Sequence, residues 1–206
     1  MTTSREALQR LREGNRRFVA HVRNLDSLSS AARRAELAAA QQPFAIVLGC
    51  SDSRVPVEIV FDQGLGDLFV IRVAGNIVAP SLIGSVEFAA AQFGSRLVVV
   101  LGHSQCGAIT STLEELSRPT ANQSPNLRSI VDRIRPAVQD LLPARPGEIS
   151  ADLVRRAVRA NILASVRQLR HGSTIIEDLI ASDGLNVVGA EYSLETGAVE
   201  FLEETL

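Results

Sequence analysis

The sequence predicts an α/β fold: a central, mostly parallel β-sheet with helices on both faces and an antiparallel strand at its C-terminal edge. Three observations predict it. Residues 44–49, 68–73 and 97–102 are short, nearly continuous apolar runs, the composition of strands buried on both faces. Longer stretches of helical period lie between and after them, so strands and helices alternate. The chain then closes on two strand-like runs, 186–192 and 198–202, joined by Glu195-Thr196-Gly197, which reads as a hairpin.

Taken in order, residues 4–19 set Ala7, Leu8, Leu11 and Phe18 at helical spacing among charges. Residues 28–40, rich in alanine and arginine, predict a second helix, and Pro43 ends the helical region before the first strand. Helices are expected over 81–93 and 106–116, on either side of the strand at 97–102. Residues 118–126, with two prolines and several polar side chains, read as a surface loop. Three helices complete the pattern: 127–142, interrupted at Pro136, then 149–169, then 173–181 leading into the fourth strand.

Composition narrows the function. A chain of 206 residues, 46% apolar and 21% charged, can bury one core without dividing into two domains. The net charge is −2 with both signs scattered, so no basic face for nucleic acid is expected, and no apolar run is long enough to span a membrane. Every basic side chain other than histidine is arginine. Without lysine, Schiff-base chemistry and the phosphate-binding P-loop are excluded, and no glycine-rich turn argues for a dinucleotide. The first eighteen residues carry charges throughout with no apolar stretch, so the expected location is the cytoplasm.

The chemistry is concentrated in Cys50-Ser51-Asp52-Ser53-Arg54 and His103-Ser104-Gln105-Cys106-Gly107, which hold both cysteines and one of the three histidines. Two thiolates and an imidazole suit zinc, and three protein ligands leave a fourth position for water. A reducing compartment disfavours a disulfide between the two cysteines. Spacing alone leaves zinc and a pair of unrelated buried cysteines both open. Placement argues for the metal. Cys50 follows the first strand, His103 follows the third, and Cys106 begins the next helix, where the dipole and free N–H groups favour a thiolate. All three thus converge at the carboxyl end of one sheet, where open α/β sheets bind ligands. Asp52 and Arg54 lie close enough to act on the open position, which points to hydrolysis or hydration.

These two motifs resemble those of the β-class carbonic anhydrases. The resemblance continues through residues 61–72 and Ala74-Gly75-Asn76 and runs from about Arg5 to the final hairpin. It implies one Zn²⁺ per chain on Cys50, His103 and Cys106, and reversible hydration of carbon dioxide to bicarbonate and a proton. The nucleophile would be a zinc-bound hydroxide oriented by Asp52, itself held by Arg54. In a closed form of such enzymes Asp52 becomes a metal ligand. Gln41, Phe69, Ala74, Phe88 and the N–H of Gly107 match substrate-binding positions, with Phe88 where tyrosine is frequent and Ala74 where valine is. Arg72 and Tyr192 match part of an inhibitory bicarbonate site, but Val47 replaces its tryptophan. The resemblance further implies a homodimer or tetramer, with residues 1–40 an N-terminal helical arm on a neighbouring subunit and 41–206 a single zinc-binding domain. Carbonyl sulfide or carbon disulfide hydrolysis on the same scaffold is the nearest alternative. A non-catalytic structural zinc protein is another, although it would need neither Asp52 nor Arg54.

Overall fold

The computed structural model describes residues 2–22, 30–120, 124–143 and 149–202. Strands β1 (Ala45–Gly49), β2 (Leu68–Arg72), β3 (Leu97–His103), β4 (Asn186–Tyr192) and β5 (Val199–Leu202) form one sheet in the order β2-β1-β3-β4-β5. The first four run parallel, and β5 pairs antiparallel with β4, as the closing hairpin requires. Every residue of β1 and β3 is buried, which is why those segments read as unbroken apolar runs. Their side chains alternate between two cores. Ile46, Leu48, Val98 and Val100 pack with Val187 on one face, and Val47, Leu97, Val99 and Leu101 with Ala190 on the other. Each such side chain contributes about 1.5–3 kcal/mol through burial.

Helix α1 (Ser4–Val19) opens with a capping box between Thr3 and Glu6 and buries Ala7, Leu11, Gly14 and Asn15. It packs on its own chain. Asn15 donates to the carbonyls of Val60 (3.1 Å) and Gly197 (2.9 Å) and accepts from the Val199 N–H (2.8 Å). Leu11 is fully buried within the chain, whereas Phe18 is partly buried, its ring 6.5 Å from that of Tyr192. Helix α2 (Ala31–Leu37) is the core of the segment expected at 28–40; residues 28 and 29 lie outside the described residues. The short α3 (Val57–Val60) was not legible in the sequence, because four residues show no period.

On the opposite face lie α4 (Pro80–Phe93), α5 (Gly107–Ser117), α6 (Pro125–Val138), α7 (Ala151–His171) and α8 (Thr174–Ser182). Two expectations are corrected here. Residues 125 and 126, read as loop, already belong to α6, because Pro125 occupies its first turn, where a missing N–H costs nothing. Residues 121–123 of that loop lie outside the described residues. Pro136 does not interrupt α6 either. It sits in the last turn, and the chain passes on into a 3₁₀ turn at Gln139–Leu141. Among the described residues no helix is long and apolar enough to cross a membrane.

Strand order decides where a site can form. The chain leaves β1 for β2 on one side, then returns past β1 to β3 on the other, so their outgoing loops part and leave a crevice. Gly49 is in register with Leu101, which sets Cys50, one residue past β1, beside the end of β3 at His103.

Candidate metal centre

Cys50, His103 and Cys106 are all buried, and their ligand-type atoms lie within 4.8 Å of one another. Three local devices aim them. The His103 ring sits with Nδ1 2.9 Å from the Ser104 carbonyl, an acceptor only, so Nδ1 carries the proton and Nε2 presents its lone pair. Gln105 takes a left-handed backbone (φ 53°), turning the chain so that Cys106, three residues after His103, faces the same point. Cys106 is the N-cap of α5. Cys50 accepts an N–H···S hydrogen bond from Gly75 (3.4 Å), in a 3₁₀ turn at Ala74–Asn76.

The electrostatics favour a cation. His103 Nε2 is buried without a hydrogen-bond partner among the described residues. Burial pushes the His103 pKa down, yet the Cys50 sulfur and the Ser104 carbonyl outweigh it and the net direction is up. A proton there stands where a metal ion would. The two sulfurs share one charge: the hydrogen bond from Cys106 holds Cys50 low, and the same contact together with burial holds Cys106 high. An orphaned imidazole nitrogen and two buried sulfurs converging on one point are a donor set that fits zinc.

Asp52 stands at the rim. Arg54 grips it in a fork, Nε to Oδ1 at 2.9 Å and Nη2 to Oδ2 at 2.8 Å, and the Arg54 N–H adds a third bond to Oδ1 at 2.9 Å. These bonds, those of the Arg54 side chain foremost, hold the Asp52 carboxyl well below the usual carboxylate range. Oδ2 lies 3.9 Å from His103 Nε2, so the ionised carboxylate faces the three-residue cluster. Arg72 fixes the backbone below it, donating to the carbonyls of Cys50 (3.1 Å) and Asp52 (2.7 Å).

The proposed pocket residues are brought together less completely. Ala74 opens the turn that bonds Cys50, and Gly107 is the exposed first residue of α5, next to Cys106. Phe69 and Phe88 pack 6.2 Å apart, but Phe88 is 53% exposed. Gln41 lies in a separate shallow cleft with Leu37 and Leu65. Phe93 connects the two regions: it lines that cleft and lies 6.0 Å from Phe69 and 5.5 Å from Phe88. Sequence reasoning passed over Phe93, which ends a helix and looks like packing.

The turn between β4 and β5 reads as a hairpin in the sequence, but its link to the site does not show there. Glu195 accepts from Ser104 Oγ (2.9 Å) and Gln105 Nε2 (2.5 Å), tying down the two residues between His103 and Cys106. Nothing local in the sequence marks that link.

Fold and site together define an α/β protein with two sulfurs and an imidazole that could hold a metal ion, at the switch point of its sheet. A family model described as carbonic anhydrase matches residues 45–199. Carbonic anhydrase 2 of Mycobacterium tuberculosis is 40% identical over 191 residues, covering 93% of this chain and 89% of that protein. Among solved structures, a β-carbonic anhydrase of Coccomyxa bound to acetazolamide superposes with a TM-score of 0.72 at 26% identity, over 95% of this chain and 86% of that one. A tetrameric β-carbonic anhydrase of Sordaria macrospora superposes at 0.69 with 28% identity, over 82% and 84%. The chain belongs to the β-class carbonic anhydrase family, and it is an enzyme of the carbonic anhydrase class.

Proposed function

We propose that this chain hydrates carbon dioxide reversibly to bicarbonate and a proton, with Zn²⁺ held by Cys50, His103 and Cys106 and with Asp52 and Arg54 as its orienting pair. The observation that carries the reading is the buried, partnerless His103 Nε2 facing two sulfurs, with an ionised carboxylate 3.9 Å away. Zinc would supply Lewis acidity, making water acidic enough to serve as a nucleophile near neutral pH.

The chain's own groups do the rest. Asp52, kept ionised by Arg54, can only accept hydrogen bonds, so it takes the O–H of the attacking water and turns an oxygen lone pair toward the substrate. Arg54 also restrains that carboxylate from swinging inward to become a metal ligand itself. The Arg54–Asp52 contact at 2.8 Å supports the reading in which Asp52 orients water and is not itself a ligand. Phe69 and Phe88 offer an apolar wall suited to carbon dioxide, Ala74 adds a small apolar side chain in the turn that bonds Cys50, and the Gly107 N–H can meet a substrate oxygen. Gln41 would contact substrate only through the cleft it shares with Phe93.

Metal analysis paired with stopped-flow carbon dioxide hydration tests the reading. About one zinc per chain, and hydration that disappears on chelation and returns with zinc, are expected. Undiminished hydration by metal-free protein would overturn it. Rates on carbonyl sulfide in the same assay separate the alternative substrate.

A further inference from the structure

Helix α7 buries an apolar face made of Leu153, Ala157, Val158, Ile162, Val166 and Leu169. Two polar residues one helical turn apart interrupt it: Asn161, 2% exposed, and Ser165, 4% exposed. An amide in such a place costs stability unless it is hydrogen-bonded, and leucine would pack there without that cost. Both side chains are bonded, and to the same short turn. Asn161 Nδ2 donates to the Gly75 carbonyl at 2.8 Å, and Ser165 Oγ donates to the Asn76 carbonyl at 3.1 Å.

That turn needs holding. Gly75 (φ 72°) and Asn76 (φ 42°) are consecutive left-handed residues, and the second is not glycine. A Cβ on Gly75 would come within 2.9 Å of Ile134 Cδ1 and 3.2 Å of Ala108 Cβ, so the turn lies close against neighbouring side chains. Its Gly75 N–H points at Cys50 Sγ, 3.4 Å away. An N–H···S bond draws charge off a thiolate and so sets how strongly that sulfur donates to a metal.

We propose that Asn161 is a positioning residue of the metal centre: by holding the Gly75 carbonyl it keeps the Gly75 N–H on the Cys50 sulfur and tunes that thiolate as a ligand. The inference rests on Cys50 being a metal ligand. Asn161 touches neither substrate nor metal, and its influence passes through one residue of backbone. Ser165 steadies the adjoining peptide and is the matched control, since it shares the helix, the burial and the turn but does not bond Gly75.

The test replaces zinc by cobalt(II) and records the sulfur-to-cobalt charge-transfer band for wild type, Asn161→Leu, Asn161→Ala and Ser165→Ala. Each protein is first shown to be folded by its thermal melt. A sulfur that has lost its hydrogen bond is easier to oxidise, so the Asn161 variants should shift the band to longer wavelength. The freed turn no longer fixes Cys50 in place, and this loss of positioning outweighs the stronger donation, so metal should pass to a chelator about tenfold more readily. Ser165→Ala should leave the band in place and the chelator midpoint within about twofold of wild type. A folded Asn161 variant with the wild-type band and affinity overturns the proposal, as does a Ser165→Ala shift equal to that of Asn161→Leu. A second arm needs no variant. In ¹¹³Cd-substituted wild type, the Gly75 amide proton should show scalar coupling to cadmium through Sγ, and its absence overturns the proposal whichever variants fold. A wild-type cobalt protein with no thiolate band at all would instead reject Cys50 as a ligand, a different failure.

Discussion

Arg54 is exposed, yet three of its donors converge on one carboxylate, and this geometry makes a sharp prediction. Arg54→Ala should leave fold and metal content intact while hydration falls roughly a hundredfold, because a misaimed carboxylate loses the orientation advantage. Arg54→Lys should recover little, since an ammonium cannot form the fork. Normal turnover by both variants, measured by stopped flow, would remove the pair from the mechanism. The sulfurs permit an equally direct test. Cys50→Ser and Cys106→Ser should each lose most of the bound zinc by elemental analysis, since a hydroxyl at these positions stays protonated and binds zinc poorly. Retention of a full equivalent by either variant would refute the ligand set. Cys50, Asp52, Arg54, His103 and Cys106 could be found in the sequence because each group occupies one short contiguous stretch at a strand end. The residues that hold them could not, because their partners are remote: Asn161 and Gly75 are 86 positions apart, and Ser104 and Glu195 are 91. A signal existed for Asn161 and Ser165, two polar residues spaced one turn apart on an otherwise apolar helix face.

Helix α1 shows how a segment can obey its local pattern and still be held by something the pattern omits. Its apolar spacing foretold the helix, but its docking rests on Gly14, where a Cβ would fall 1.8 Å from the Phe61 carbonyl oxygen. Alanine is the better helix former by about 1 kcal/mol. Even so, Gly14→Ala should destabilise the protein, because a backbone clash of that size forces α1 off the sheet and undoes the Asn15 hydrogen bonds. A lowered urea midpoint and faster proteolysis ahead of residue 20 are expected, and an unchanged midpoint would contradict this docking. The turn between β4 and β5 makes a pH prediction. Hydrogen bonds from Ser104 foremost, and also from Gln105 and Ser193, hold Glu195 below the ordinary glutamate range. A depressed folded pKa means stability that is present above the unfolded value of about 4.3 and is lost as pH falls through the folded value. Glu195→Gln cannot titrate, so the stability gap between wild type and variant should be constant from pH 7 to about 5 and shrink below about pH 4. Comparing the two proteins cancels every other group that titrates alike in both. A gap that widens on acidification would show that Glu195 does not hold the loop. The strands were legible from composition because both faces of β1 and β3 are covered. Elements that depend on position within a turn, such as α3 and the tolerated Pro136, were not.

Among the described residues an aromatic cluster stays partly open at the surface. Phe69, Phe88 and Phe93 form a cluster with ring centroids 5.5 to 6.2 Å apart, and its outermost member, Phe88, is 53% exposed. A packed aromatic side chain buries about 150–250 Å², so an open cluster of this kind favours association. On the first helix, Leu11 is fully buried within the chain while Leu8 and Phe18 are partly buried. The Sordaria macrospora relative is tetrameric. For this chain we propose a homodimer or tetramer with the Phe88 surface in an interface. Sedimentation equilibrium at micromolar concentration should then show at least two chains, and Phe88→Arg should shift the population toward monomer by placing a charge where packing is needed. Because Phe88 is also a proposed wall of the carbon dioxide pocket, activity cannot serve as the readout, and the sedimentation result decides. A wild-type monomer under these conditions would place the completed site within one chain, and the exposed ring would then be a wall open to water rather than half of an interface.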